Sequence, residues 1–177
     1  MISDATAARY YYIFDSRTHR ALVLDRTTGR ERPRDADPRA QLLAHVRAQR
    51  SPDRLREFAR WCARQVEADA CPPHTAAGRL WAAAQRDDSD TWTRVRHDTS
   101  DAAMLAVALG LPRRRPDAAQ LLTLHACTHP DPETAALDAA HMSERWAEFS
   151  APSDSEAAAK NMRTRHMNWL LDVFSRQ

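Results

Sequence analysis

Glycine is scarce in this chain, which has only Gly29, Gly78 and Gly110 among its 177 residues. Motifs that cradle phosphate groups need closely spaced glycines, so three scattered ones form neither a P-loop nor a dinucleotide-binding fingerprint. The ten prolines and the many alanines favour helices separated by proline-marked turns, because alanine is the best helix former. The sequence therefore predicts a mainly α protein.

Cysteines and long apolar runs are also few. Cys62, Cys71 and Cys127 are odd in number and irregularly spaced, which is not a disulfide framework and suits a reducing compartment. No segment approaches the ~18 consecutive apolar residues of a membrane span. The first residues lack the basic and apolar regions of a signal peptide. We expect a cytoplasmic protein with no membrane contact.

Positive charge comes almost entirely from arginine, since Lys160 is the single lysine. The formal net charge is only +2, and acidic residues interleave with the arginines. A nucleic-acid-binding domain usually concentrates its basic residues on one face. Global charge therefore does not require a nucleic-acid partner.

The chain length fits a single domain, 1–177, with a β-hairpin over 9–25 and an irregular bundle of about seven helices over 38–175. The aromatic run RYYYIF and the run ALVLD favour two short strands. Ser51-Pro52-Asp53 and Asp131-Pro132-Glu133 are typical helix starts. The first helix is expected to lie over 38–50. Residues 87–97 are polar apart from Trp92 and Val95 and predict a loop or a frayed segment, with the next helix capped by Thr99 or Ser100.

An apolar stripe and a closing helix shape the expected core. The helix after Pro52 is predicted to run to about Ala70. Its residues spaced three or four apart are apolar, as on the buried side of an amphipathic helix; they are Leu55, Phe58, Ala59, Cys62 and Val66. The last helix, 156–174, has an equivalent face that contains Met162, His166, Trp169, Leu170 and Val173.

His125 and His129 are the candidate metal ligands. Two histidines four residues apart share one face of a helix and are able to hold a single zinc ion. The alternative is a helix C-terminus, where histidines meet unsatisfied carbonyl groups and the negative end of the helix dipole. Two ligands alone do not make a metal site, so we expect no resident cofactor.

The chain offers no motif for a catalytic nucleophile. It contains no G-x-S-x-G elbow, and no cysteine lies in a protease-like context. Cys62 falls on the apolar stripe, where a small buried side chain is expected. No catalytic residues are predicted, and a metal-dependent enzyme that uses His125 and His129 remains only as a second alternative.

The candidate nucleic-acid contact is the turn Arg113-Arg114-Arg115. Arginine-rich turns bind phosphates. The predicted helices on either side of this turn, 100–111 and 117–128, could form a helix-turn-helix. The second helix would offer Gln120, Thr123 and His125 to base edges. Arg60 and Arg64 also flank Trp61, although nearby glutamates at helical spacing suggest an ion-paired, solvated face.

Five tryptophans are many for a chain of this size. Most are expected to anchor the core, but an exposed tryptophan would indicate a partner surface. Trp92, in the polar segment 87–97, is the one expected to be exposed. The predicted partner-binding residues are Trp92, Arg60, Arg64, Arg113, Arg114 and Arg115.

Three segments carry a family resemblance: LREFARWCARQVEAD (55–69), ETAALDAAHMSERWAEF (133–149) and the closing AKNMRTRHMNWLLDVFSRQ. They resemble helices of alanine-rich bacterial immunity proteins and of uncharacterised planctomycete helical modules. The resemblance covers about a quarter of the chain and implies a helical interaction module that neutralises a partner. It supplies no catalytic motif.

We therefore expect a non-enzymatic bacterial interaction protein, of the immunity or defence type, that occludes a protein partner's surface. The alternative is a small regulatory protein that binds nucleic acid through Arg113–Arg115. A homodimer could form through the hairpin edge, because an unpaired strand is a template for pairing with a second chain.

Overall fold

Helices form most of the described structure. The structure is a computed structural model, and it describes residues 10–15, 20–25, 27–31, 39–40, 43–44, 52–66, 74–86, 89–108 and 116–175. In these ranges the long helices are α1 (Pro52–Gln65), α2 (Ala76–Gln85), α3 (Ser89–Ala108), α4 (Pro116–Cys127), α5 (Pro132–Ser150) and α6 (Ser155–Ser175). The prediction of a mainly α protein is confirmed. Within the predicted first helix, residues 39–40 and 43–44 have helical backbone, and the rest of that segment lies outside the described residues.

Two short strands precede the helices. β1 (Tyr10–Asp15) pairs with β2 (Arg20–Asp25) in antiparallel orientation, with Tyr12 opposite Val23. After β2 the chain passes through Gly29, whose φ of +65° lies in the left-handed region that glycine adopts without a steric penalty. Both strands contact α5, which places the pair against the bundle.

The apolar stripe of α1 forms one wall of the core. All five residues of the predicted stripe are buried, and Phe58, Ala59 and Cys62 have no exposed surface. The helix ends at Gln65, before the expected Ala70, and residues 67–70 lie outside the described part. The Gln120 side chain of α4 donates to the Val66 carbonyl oxygen at 2.8 Å, which satisfies a backbone acceptor at this end of α1.

Helix α5 is the centre of the bundle, in contact with α1, α4 and α6. It begins as predicted: the Asp131 carboxylate accepts from the Thr134 backbone N–H at 2.8 Å, and Pro132 occupies the first turn. Every residue from 134 to 144 is buried. Many of these side chains are alanine methyl groups, which allow neighbouring helices to approach on several sides.

The prediction of a loop or frayed segment over 87–97 is wrong for residues 89–97, because α3 runs without interruption from Ser89 to Ala108; residues 87–88 lie outside the described part. Thr99 and Ser100 therefore lie inside the helix and do not cap it. Trp92, Val95 and Thr99 are spaced by three and four residues and turn toward the bundle, whereas Arg94, His97 and Asp98 are exposed. The stripe continues at Ala103, which is fully buried, and packing against the other helices stabilises α3.

The closing helix α6 matches its predicted extent to within one residue at each end. Met162, His166 and Leu170 are buried, and Trp169 and Val173 are half-buried along the same face. In the described ranges, no helix combines the length and apolarity needed to cross a bilayer.

Candidate functional site

Two half-buried tryptophans from different helices meet at the surface between α1 and α6. The rings of Trp61 and Trp169 have centroids 6.3 Å apart and are tilted by 35°. Phe58 lies beneath both: its ring stacks on Trp61 at 6.0 Å and approaches Trp169 at 5.1 Å. Because Phe58 is fully buried, it fixes the two indoles from below while each keeps an exposed part.

Arg165 borders this pair on the solvent side. Its guanidinium carbon lies 5.9 Å from the Trp61 ring centroid, and the guanidinium donates to the side-chain oxygen of Gln65. Arg165 is exposed, so the cation edges the aromatic rings without covering them. We call Trp61, Gln65, Arg165 and Trp169 the aromatic surface. Tryptophan and arginine are the residue types that most often dominate binding energy at interfaces.

A buried polar cluster lies directly under the aromatic surface. Glu144 has no exposed surface and accepts at 2.7 Å from both Arg39 and Arg163, one on each carboxylate oxygen. Arg39 is 3% exposed, and its guanidinium is also 3.2 Å from Nδ1 of His166. The other imidazole nitrogen of His166, Nε2, lies 3.1 Å from Ser143 Oγ. The cluster joins residues 39–40, α5 and α6 through buried, hydrogen-bonded charge.

These contacts determine the protonation of His166. A guanidinium only donates hydrogen bonds, so Nδ1 of His166 must accept from Arg39. The imidazole is then neutral with its proton on Nε2, which donates to Ser143 Oγ. Ser143 donates its own proton to the Ala140 carbonyl oxygen at 3.0 Å. His166 therefore does not act as a base toward Ser143, and this pair is not a nucleophile–base dyad of the kind found in hydrolases.

The two described cysteines, Cys62 and Cys127, are also poor nucleophiles. Both thiols are free and buried. Burial raises the pKa of Cys62, and it raises the pKa of Cys127 from 9.0 to about 12. Since the thiolate is the reactive form, these are structural side chains.

Trp92 was expected to be exposed, and this is wrong. It is 5% exposed, and its indole Nε1–H donates to the carbonyl oxygens of Ala83, at 2.6 Å, and of Arg86, at 2.8 Å. These carbonyls lie at the end of α2, where helical partners run out. Trp92 thus closes a helix end and is not placed to contact a partner.

The predicted arginine contacts fall in three places. Arg64 is exposed on α1, one turn from Trp61, whereas Arg60 is half-buried. Arg113, Arg114 and Arg115 lie outside the described residues, so their role in nucleic-acid binding stays a prediction. The base-reading side chains proposed for the second helix do not reach solvent; Gln120 is 8% exposed, and Thr123 and His125 are fully buried. A helix-turn-helix that reads bases through these residues is therefore excluded.

His125 and His129 do not form the expected pair on one helical face. Helix α4 ends at Cys127, so His129 has already left the helix, and its Nδ1 accepts from the Asp131 backbone N–H at 3.1 Å. Burial, reinforced by the charge of Arg96, lowers the pKa of His129 from 6.5 to about 4. In the described part of the chain, no three His, Cys, Asp or Glu side chains are grouped to hold a metal. The geometry agrees instead with the helix C-terminus that was the alternative interpretation.

Two arginines stabilise that helix end. Arg96 donates to the His125 carbonyl oxygen at 2.8 Å, and Arg56 donates to the carbonyl oxygens of His129 and Pro130. Burial lowers the pKa of Arg96 to about 10, an effect opposed by the nearby Asp138. The His125 carbonyl lies in the last turn of α4 and carries partial negative charge, so the Arg96 cation is favourable there, whereas Arg56 binds carbonyls of the connection that follows.

Sequence reasoning missed the buried cluster and this double arginine contact. Arg39 and Glu144 are 105 residues apart, and Arg56 lies 73 residues before His129. Nothing in local spacing links such positions. The one available signal was Glu144 itself, a charged residue within an alanine-rich helix that was expected to be well packed.

Comparisons of this chain with protein-family models, with curated proteins and with solved structures give no match.

Proposed function

We propose that this protein is a non-enzymatic bacterial interaction module that binds a protein partner in the cytoplasm and occludes its surface, in an immunity or defence setting. The observation that carries the proposal is the aromatic surface. Two tryptophans from separate helices stand together at the surface, edged by an exposed arginine. In this proposal the aromatic surface replaces Trp92 as the anchor for the partner.

The rigidity of the aromatic surface supports this role. Phe58 packs under both indoles, and His166 meets the Trp61 ring edge-on with centroids 5.8 Å apart. Side chains that are already ordered lose little conformational entropy when a partner binds, which leaves more of the contact energy for affinity. An indole side chain also suits an interface, because its ring is largely apolar while its N–H is able to donate a hydrogen bond to a partner protein.

The burial of the polar groups supports a non-enzymatic role. His166, Ser143 and Glu144 are all fully buried. His166 is hydrogen-bonded to Ser143, and Arg39 links His166 to Glu144. A catalytic base must reach its substrate. These groups instead hold helices together beneath the aromatic surface.

We propose that the full architecture has a seventh helix over 38–50 and the hairpin over 9–25, packed as a single domain. The hairpin edge would serve a second copy of the chain if the protein dimerises. Neither feature is needed for partner binding through α1 and α6.

The test is quantitative co-purification from the protein's own cells with two charge-reversed variants. Arg165→Glu changes the aromatic surface at an exposed position and leaves the core intact. Arg94→Glu reverses an exposed arginine on α3 and serves as the matched control. We expect one protein to co-purify at fixed stoichiometry with the unaltered chain and with Arg94→Glu, and its yield to fall at least about tenfold with Arg165→Glu. Loss of a hot-spot arginine costs about 2 kcal/mol or more, and about 1.4 kcal/mol corresponds to a tenfold change in affinity.

Two outcomes would contradict the proposal. Equal recovery of the partner with both variants would place its binding site elsewhere on the protein. A co-purifying nucleic acid whose binding falls steeply with added salt would instead support the alternative function through Arg113–Arg115, because such binding releases counterions.

A further inference from the structure

We propose that proton uptake by His166 releases Arg39 from the interior, so that the described residues 39–40 and 43–44 are an acid-sensitive part of the fold. The proposal is independent of partner binding. It follows from the contacts of a single buried imidazole.

The first step concerns the Arg39–His166 hydrogen bond. The guanidinium nitrogen of Arg39 lies 3.2 Å from Nδ1 of His166 and donates to it, so the bond needs the lone pair on that nitrogen. A proton placed on Nδ1 removes the lone pair. Two N–H donors, both on cations, would then face each other at hydrogen-bond distance, and the docked position of Arg39 becomes unfavourable.

The second step concerns which group moves. His166 is held by its own helix and by aromatic contacts from α1, with Phe58 at 5.9 Å and Trp61 at 5.8 Å between ring centroids. Among the described residues here, Arg39 and Leu43 are the two buried ones, so loss of the Arg39 contacts removes one of the two buried side chains that hold this backbone and favours its opening. Arg39 is a long side chain whose charge gains hydration on leaving the interior. Its release is the simplest response to a charged His166.

The charged and titratable groups near His166 are its partner Arg39 and the groups that interact with Arg39 or with Glu144. Residues 39–40 contribute Arg39, α5 contributes Glu144, α6 contributes Arg163, and α1 contributes the neutral thiol of Cys62. Of these groups, the Glu144 carboxylate is the one that attracts the added proton. That carboxylate is already shared by Arg39 and Arg163, so a third cation competes for an acceptor whose two oxygens are both occupied.

Docking of Arg39 should weaken as the pH falls. The docked state requires neutral His166, whereas the released state allows its protonation. Docking is therefore fully favourable above the ordinary histidine range near pH 6.5 and weakens as the pH falls below it. If the released state binds one additional proton, the opening equilibrium rises by up to about tenfold for each pH unit.

Hydrogen–deuterium exchange of the peptide that contains residues 39–44 tests the inference between pH 7.5 and 5.0, after correction for intrinsic exchange rates. We expect the opening equilibrium of the unaltered protein to rise as the pH falls. His166→Asn should remove that rise, because an amide accepts from Arg39 and takes up no proton. His97→Asn, which replaces an exposed histidine of α3, should keep the rise. An equal rise in His166→Asn, or a flat profile in the unaltered protein, would overturn the proposal.

A second measurement needs no variant at position 166. Long-range ¹⁵N–¹H spectra of the unaltered protein report the protonation of each imidazole nitrogen. We expect His166 to carry its proton on Nε2 at pH 7.5, and to gain the Nδ1 proton over the same pH interval in which the peptide opens. A proton on Nδ1 at neutral pH, or one gained outside the interval of opening, would contradict the proposal.

Discussion

Arg56 of α1 and Trp92 of α3 are in direct contact, with the guanidinium carbon 4.7 Å from the centroid of the indole ring. Each member of this cation–π pair also closes a helix end elsewhere. Arg56 donates to the carbonyl oxygens of His129 and Pro130 after α4, and Trp92 donates to two carbonyl oxygens at the end of α2. The Arg56–Trp92 pair thus connects α1 and α3 to the end of α2 and to the residues that follow α4.

Removing Arg56 should destabilise the protein more than its position on the helix surface suggests. Arg56→Ala deletes two charge-assisted hydrogen bonds to carbonyls together with the contact on Trp92. We expect the free energy of unfolding to fall by about 2–3 kcal/mol. Urea denaturation followed by circular dichroism measures this change.

Arg54→Ala is the matched control for this prediction. Arg54 lies on the same helix, where it forms an exposed ion pair with Glu57 three residues later. Such surface pairs contribute about 0–1 kcal/mol. Similar losses in the two variants would show that the carbonyl contacts of Arg56 do not stabilise the fold.

The buried charge on Glu144 gives the second prediction. Glu144→Met leaves Arg39 without its carboxylate partner in the interior, and we expect a loss of about 3–5 kcal/mol in the free energy of unfolding. Arg39→Met added to Glu144→Met should recover part of that loss, because the unpaired buried cation is then gone. Arg163 is one-third exposed and is able to turn toward solvent. A double variant less stable than the single one would contradict this account.

The thiols give a third prediction. In a Cys71→Ser background, Cys62 and Cys127 should react with a thiol reagent at pH 8 only after unfolding. A pKa of about 12 for Cys127, against the ordinary 9.0, lowers its thiolate fraction about a thousandfold. Burial slows access as well. Two fast-reacting thiols in the folded protein would show that these side chains are not buried as described.

His129 gives the fourth prediction, which concerns pH. Its pKa falls from 6.5 in the unfolded chain to about 4 in the folded protein, so the folded state keeps this imidazole neutral. Its contribution to stability is fully present above pH 6.5 and is lost as the pH falls toward 4. His129→Gln should therefore be less sensitive to a change from pH 7.5 to 5.0 than the unaltered protein.

Urea midpoints at the two pH values measure this effect. His97→Gln is the control, since the His97 side chain is 89% exposed and should not alter the pH dependence. The difference between His129→Gln and the unaltered protein isolates His129 from the effect proposed for His166. An unchanged pH dependence in His129→Gln would contradict the lowered pKa.

Helix starts and buried stripes were predictable because they depend on neighbouring residues. Pro52 and Asp131 begin helices through local backbone chemistry, and the stripe from Leu55 to Val66 follows from helical spacing alone. The segment 87–97 was mistaken for a loop because its inward residues are few. Only Trp92 and Val95 in that segment are apolar, and the packing that makes them sufficient comes from distant helices.

The aromatic surface and the buried cluster could not be predicted in the same way. Trp61 and Trp169 lie 108 positions apart in the printed sequence, and each is separately consistent with a core residue. Tertiary packing buries Trp92 and brings Trp61 and Trp169 together, so the pair replaces Trp92 as the candidate anchor. Arg39 and Glu144 likewise acquire their roles only when residues 39–40 meet α5.

The complete burial of α5 from 134 to 144 also limits how the protein is able to vary. Alanines at 135, 136, 139 and 140 have no exposed surface, so each methyl group fills its space against a neighbouring helix. Even one added methylene group would force side chains from their preferred rotamers or shift the backbone, at about 1–3 kcal/mol for each site. Amino-acid replacement should therefore be far less tolerated along these three turns than on the outer faces of α3 and α6, whatever partner the protein binds.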